Sequence, residues 1–360
     1  MNSEHPKLQS YILSTVSYLK KWPIAVEDKM KAVIEEIDKA TATDWKETCK
    51  HLLRMKIINS DSMFGITLLA FHRSESHTTP ATPACVIKTA SQTSENYTFR
   101  YEFDILHEVL IGYNLNNLHQ TNVFAKMYGY IFKKRHALNF QQYIHGKTLM
   151  EILKDLPDGH MKVVKDVFLQ LAHGLYLAQK EYGFMHWDLH GENVLIEKLD
   201  HPIDLHLRFT EDLIVKLEDV FYVPKIIDYG VSTMTCPQFI SNKYAAVEED
   251  EKQDVVLWLA TSEKTSVLPL FDLYRYITYV FLKWNQPSLD QYLTYLFQLS
   301  KKTHIDEQLK ANFVLLQQGR WREYKKMYIY QKLSLPKKEN GTHGAIFKEG
   351  NLVDWVKSIL

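Results

Sequence analysis

Residues 186–196 read His186-Trp187-Asp188-Leu189-His190-Gly191-Glu192-Asn193-Val194-Leu195-Ile196, and the pattern of this stretch decides how the rest of the chain is read. A carboxylate, Asp188, and a carboxamide, Asn193, stand five positions apart on a polar loop. Just upstream, Met161 to Glu181 carries Val164, Phe168, Leu171 and Leu175 at helical spacing, which predicts a long buried helix. Just downstream, Val194 to Ile196 predicts a strand. A polar β-hairpin loop is the competing reading; the helix before the loop and the motifs after it argue against it.

Working outward, Val223 to Ile227 predicts a second strand, closed by Asp228-Tyr229-Gly230. Asp-x-Gly alone is a common turn; downstream of the first loop it becomes a carboxylate fixed at a strand end. The segment between, Glu197 to Tyr222, predicts an extended hairpin insertion away from the chemistry. Upstream, Cys85-Val86-Ile87-Lys88 places a lysine at the end of a strand. A lysine at a strand end is a fixed point charge that a nearby carboxylate can hold, although a solvated lysine and an ordinary helical glutamate are the competing reading. Glu108, on a helix from Asp104 to Leu118 that packs through Ile111 and Leu115, is the chosen partner, with Glu102 the alternative. Phosphoryl transfer needs a carboxylate to orient the attacking hydroxyl and a nearby metal ligand, and Asp188 with Asn193 can supply both.

These motifs, in this order, resemble the eukaryotic-type protein kinases. His186 to Asn193 is similar to the catalytic loop H-R-D-L-x-x-x-N, Asp228-Tyr229-Gly230 to the D-F-G turn, and Cys85 to Lys88 to the V-A-I-K strand. The resemblance covers roughly residues 57 to 285. It implies an α+β, two-lobed protein-kinase-like fold with a small β-rich lobe over residues 57–145 and a larger helical lobe over 146–360. It also implies ATP and magnesium as cofactors. Asp188 would then be the catalytic base, Asn193 and Asp228 the metal ligands, and Lys88 the phosphate-binding lysine held by Glu108. Asn59 to Thr67 aligns with the glycine-rich nucleotide loop, with Ser60 and Ser62 where the first two glycines stand and only Gly65 kept. Serines there hold phosphate less closely than glycine, though their hydroxyls can donate. Gln141 to Leu149 resembles the segment between lobes, with backbone groups of Gln142 and Ile144 toward the adenine edge and Val86 and Leu195 on its faces. Phe271 to Tyr276 fits a buried helix whose Asp272 braces the catalytic loop; a capping or surface aspartate is the other reading. The A-P-E signature is missing. With the degenerate glycine loop and the D-Y-G turn, the pattern resembles the divergent protein-kinase-like proteins of large DNA viruses.

Three functions stay open. A protein kinase of the serine/threonine type, acting on a protein hydroxyl, is favoured by the lysine–glutamate pair and by the long helix before the loop. A small-molecule phosphotransferase of the aminoglycoside or choline type is favoured by His190, because such enzymes often carry H-x-D-L-H-x-x-N. A nucleotide-binding pseudokinase is favoured by the missing glycines and opposed by the retention of Lys88, Asp188, Asn193 and Asp228. Trp187 stands where phosphorylation-activated kinases carry arginine. It has one N–H donor and no charge, so it cannot pair bidentately with a phosphate. The segment Val231 to Lys264, with its acidic run Glu248 to Glu251, is therefore expected to be held by packing.

Composition bounds the partners. The chain has 360 residues, 46% hydrophobic and 24% charged, as in ordinary folded proteins. Lys+Arg and Asp+Glu both number 43, so no nucleic-acid partner is indicated. Three scattered cysteines (Cys49, Cys85, Cys236) form no disulfide or zinc pattern, and sixteen histidines show no metal-site spacing. No signal-peptide core and no apolar run of membrane-spanning length are seen. A soluble protein of the cytoplasm is expected, in a host cell or a virion if the chain is viral. Residues 1–56 read as an N-terminal helical extension, striped by Tyr11 to Leu19 and again by Val33, Ile34 and Ile37, and expected to dock on the main body.

Overall fold

The computed structural model describes residues 28–39, 53–62, 65–72, 83–89, 99–133, 136–156, 160–230, 232–234, 267, 269–284, 291–292, 294–295 and 350–360. The expected stripe at Tyr11 to Leu19 and the acidic run at Glu248 to Glu251 lie outside them.

A five-stranded antiparallel sheet is built from β1 (Leu53–Ser62), β2 (Gly65–His72), β3 (Pro83–Thr89), β4 (Met127–Lys133) and β5 (His136–Gln141), in the order β1-β2-β3-β5-β4. Because side chains alternate along a strand, the sheet presents two separate faces. On one, Ala70, Cys85, Ile87, Ile131, Leu138 and Phe140 pack against Met30 and Ile37 of helix α1 (Asp28–Lys39). The apolar residues of α1 recur at Met30, Val33, Ile34 and Ile37, the spacing of a single helical stripe. Burying Met30 and Ile37 contributes roughly 1.5–3 kcal/mol each. Gly129 of β4 admits this helix: a Cβ there would lie 2.9 Å from Ile34 Cδ1. The opposite face carries helix α2 (Phe99–Leu115), whose Val109, Leu110 and Tyr113 meet Met127, while Ile105 meets Ala137.

The second half begins with β6 (Gly146–Thr148) and α3 (Leu149–Asp155), which opens on a reciprocal cap between Thr148 and Glu151. Helix α4 (His160–Tyr182) runs through the centre of the larger core with Val164, Phe168, Leu171 and Leu175 fully buried, as the stripe predicts. A 3₁₀ turn at Gly191–Asn193 then leads into β7 (Val194–Arg208). β7 pairs along its length with β8 (Ile214–Ile226), and β6 adds the third strand. Helices α5 (Phe271–Trp284) and α6 (Leu352–Ile359) close the core, with Trp355 Nε1 donating to Tyr292 O at 2.9 Å.

Several expectations are corrected in detail. The first strand begins at Leu53, inside the segment read as helical up to residue 56, because Leu53 to Lys56 pair with His72 to Leu69. α2 spans Phe99–Leu115 rather than ending at Leu118. The extra residues between the two polar motifs form a long hairpin, as expected, and it packs on the body of the chain. Leu207, Val215, Leu217 and Val220 turn into the core. α4 ties the hairpin down through Lys162 Nζ to Glu218 O (2.8 Å), Gln170 Nε2 to Tyr222 O (3.0 Å) and His173 Nε2 to Arg208 O (3.2 Å). Among the described residues no helix is long and apolar enough to cross a membrane.

Candidate active site

Lys88 leaves β3 on the α2 side of the sheet, and its ammonium lies 2.6 Å from Glu108 Oε1 and 3.0 Å from Asp228 Oδ1. Glu108, the partner chosen from the sequence, takes the lysine. Burial alone would lower the Lys88 pKa, but the two carboxylates overcome it and raise the group above the ordinary lysine range. The same ammonium holds the Asp228 carboxyl below its usual range against the opposing effect of burial. Glu108 is only 4% exposed, and Gln141 Nε2 (2.9 Å) and Asn139 Nδ2 (3.0 Å) also donate to it.

The loop at 186–193 is fastened from three sides. Met185 and Thr233 exchange two backbone hydrogen bonds of 2.8 Å, pinning its start to the segment after the D-Y-G turn. His186 is buried; its Nε2 donates to Ile227 O at 3.0 Å, and burial pushes the imidazole pKa down to about 4, so the ring is neutral. Asp272, at the start of α5, accepts the backbone N–H groups of His186 (2.6 Å) and Trp187 (2.9 Å). Its carboxyl is pushed up to about 6 by burial, which those two N–H groups oppose. Asp272 is thus placed as the loop brace and not as a surface or capping residue.

Trp187 has φ 64, a left-handed conformation that costs a bulky residue about 1–2 kcal/mol. It is held there by Asp272, by the Arg275 guanidinium on its carbonyl, and by its own Nε1, which donates to Thr233 Oγ1 at 2.7 Å. Asp228 shares this conformation, with φ 65. Beside it, Tyr229 is buried and donates its hydroxyl to Ile226 O at 2.9 Å. Backbone strain at two neighbouring polar motifs marks a place where geometry is imposed by the surroundings.

Asp188 follows, 40% exposed at its side chain. The Arg275 guanidinium takes Oδ1, while Oδ2 faces His190 Nε2 at 3.7 Å. Asn193 Nδ2 donates to Asp188 O at 2.9 Å, which turns its amide oxygen away from the loop backbone. Asn193 O in turn accepts Ile227 N at 3.0 Å, tying the loop to the strand that carries Asp228. Gly191 is required here, since a Cβ would come 2.0 Å from the Tyr279 ring.

Other residues expected from the sequence take the following places. Ser60 and Ser62 lie on β1 and Gly65 on β2, with Ser62 paired to Gly65 at an irregular hairpin end. Val86 and Leu195 are half-buried between fully buried neighbours, leaving surface for a flat ligand. Gln142 N donates to Lys126 O at 2.8 Å, so of its two backbone groups only the carbonyl is left for an adenine edge. Ile144 is buried. Sequence reading missed Asn139, Gln141, Arg275 and Thr233. Only Arg275 left a trace, a charge inside the apolar pattern of α5. Among the described residues no cluster of three or more His, Cys, Asp or Glu could cage a metal. One carboxylate, Asp228, with the Asn193 amide oxygen suits magnesium, which keeps waters and takes its other ligands from phosphate.

A strand lysine bonded to a helical glutamate and to the aspartate of an Asp-Tyr-Gly turn, beneath a sheet of order β1-β2-β3-β5-β4, defines the class: the chain is a divergent protein-kinase-like protein. It is 27% identical over 130 residues, 36% of its length, to a protein of Invertebrate iridescent virus 3 described as a probable kinase. It is 34% identical over 87 residues, 24% of its length, to an uncharacterized protein of Invertebrate iridescent virus 6. The matched stretches span 24% and 14% of those two relatives. A solved kinase domain is also similar, at 19% identity and TM-score 0.35 over 52% of each chain. No family model matches.

Proposed function

We propose that the chain is an ATP- and magnesium-dependent protein kinase, of the serine/threonine type that its resemblance implies, with Asp188 as the base. The observation that carries this reading is the Lys88 ammonium bonded at once to Glu108 and Asp228, residues 20 and 140 positions away. The lysine is 22% exposed and Asp228 44% exposed at the side chain, so this cluster of one cation and two carboxylates is open to a ligand and suits binding of phosphate and a cation. Asp228 and Asn193 would hold magnesium, which neutralises charge on the phosphate oxygens when bound. Lys88 would present a fixed positive charge to the phosphates. Asp188 would orient the acceptor hydroxyl and take its proton through Oδ2, because Arg275 occupies Oδ1. Asp272 and Arg275 keep that carboxylate from drifting by fixing the backbone on either side of Trp187.

His190, 3.7 Å from Asp188 Oδ2, favours a second reading, a phosphotransferase acting on small hydroxylated molecules. The experiment is a thermal-shift titration with ATP, with and without magnesium, followed by radiolabelled transfer to a panel of proteins and to aminoglycoside and choline acceptors. Magnesium-dependent stabilisation with label on protein supports the first reading, and label on the small acceptors supports the second. Stabilisation without transfer makes the chain a pseudokinase, and no stabilisation at all defeats the proposal.

A further inference from the structure

Glu108 holds more donors than pairing with a lysine requires. Gln141 Nε2 reaches Oε1 beside the Lys88 ammonium, and Asn139 Nδ2 reaches Oε2. The two amides sit at alternate positions of β5, so both leave the sheet on the face that meets α2. Across the β3–β5 pairing Asn139 lies opposite Lys88, and Gln141 lies opposite Val86. Asn139 is fully buried, and among the described residues nothing donates to its Oδ1. The amide gives its N–H to the carboxylate while its own carbonyl stays unmatched, the arrangement expected when a charge-assisted bond dominates.

The lysine alone cannot keep Glu108 satisfied. Its ammonium is already shared with Asp228, and a nucleotide phosphate would draw on the same N–H groups. A buried carboxylate that lost its one partner on nucleotide binding would be strongly destabilised. Neutral donors on a rigid strand avoid this, because they neither compete for phosphate nor move with it. We infer that Asn139 and Gln141 are positioning residues, a neutral two-amide clamp that fixes Glu108, and with it α2, against the sheet so that Lys88 stays aligned whether or not nucleotide is present. This rests on the kinase reading for the task of Lys88, but the clamp can be measured without turnover.

The test uses the full chain, an Asn139→Leu/Gln141→Leu double variant, and Asn139→Asp. Asn139 donates to Glu108 of α2 and pairs across the sheet with Lys88 of β3 and Tyr130 of β4; Asp228 and Tyr229 of the turn act on the same Lys88 and Glu108. Tyr130 is neutral, its hydroxyl pushed up to about 12 by burial, and His107 beside Glu108 is neutral as well. An aspartate at 139 is therefore a like charge against Glu108 at about pH 8; burial and that carboxylate raise its pKa, so lowering the pH toward about 5.5 progressively restores a donor to Oε2. Two quantities are read as ratios to wild type at each pH: affinity for a fluorescent ATP analogue with magnesium, and amide exchange of residues 105–115. At the higher pH Asn139→Asp is expected to bind the analogue about tenfold more weakly and exchange faster, returning to within about threefold at the lower pH. The double leucine variant should show the loss at both. A ratio for Asn139→Asp that does not change with pH overturns the clamp, as does a double variant with α2 exchange and affinity for the ATP analogue unchanged. If the leucine variant does not fold, the Asn139→Asp ratio decides alone. If wild type binds no nucleotide, the kinase reading falls, and α2 exchange still decides the clamp.

Discussion

His107 sits on α2 one residue before Glu108, 5% exposed, with Nε2 donating to Ser232 O at 2.7 Å. Only the neutral ring fits this place, since a second proton would be a buried charge. Burial therefore pushes its pKa from 6.5 to about 4. Between those values the unfolded chain binds a proton that the folded chain refuses. The contribution of His107 to stability is complete above pH 6.5, falls as pH drops through that value, and reaches its floor below about 4. Going from about pH 7.5 to about pH 5, the loss from this one group is about 2 kcal/mol. The assay is urea unfolding followed by circular dichroism at both pH values, for wild type and for His107→Gln, which keeps a donor but cannot titrate. Wild type should lose about 2 kcal/mol more than the variant across that interval. His186, also held near 4, contributes to both proteins and cancels. Equal losses in the two proteins would refute the reasoning, because the ring would then be charged, or free to become so, in the folded state.

Three further outcomes follow from the site. Asp188→Asn should abolish phosphoryl transfer while leaving ATP affinity nearly intact, whereas Asp228→Ala should remove the magnesium-dependent part of the ATP thermal shift; the reverse pattern would exchange their roles. Lys88→Ala and Glu108→Ala should be non-additive, the double variant losing little more transfer activity than Lys88→Ala alone, as initial rates would show. Phosphatase treatment verified by mass spectrometry should leave initial rates within about tenfold, roughly 1.4 kcal/mol of barrier, because Trp187 holds Thr233 by a neutral hydrogen bond and no phosphate is called for.

The residues that contact Lys88 were legible because each carries a local signature. A lysine ends an apolar strand, a glutamate lies on an apolar-faced helix, and an aspartate precedes an aromatic and a glycine. Asp272 was legible for the same reason, as one acid at the start of an apolar helix, although only the structure separates bracing from capping. Asn139 and Gln141 were not. In a strand, an amide every second residue reads as a solvated face, and nothing local says that the face is covered by α2 and a buried carboxylate. The early start of β1 was hidden because Leu53 to Lys56 acquire strand character only from their pairing with β2, some fifteen residues on. The long hairpin was recognised as an insertion, but α4 holds it through the backbone carbonyls of Arg208, Glu218 and Tyr222, which leave no mark on side-chain pattern.

The α1 helix has a practical consequence for anyone wishing to trim the chain to the elements around the site. A fragment beginning at Leu53 would keep every residue named in the site yet strip the lid from a greasy wall made of Ala70, Cys85, Ile87, Ile131, Leu138 and Phe140. Such a wall, newly wet, is the sort of surface that sticks to its own copies. An inactive precipitate from that fragment would say nothing about the chemistry, and twenty-odd more residues at the front would be the remedy.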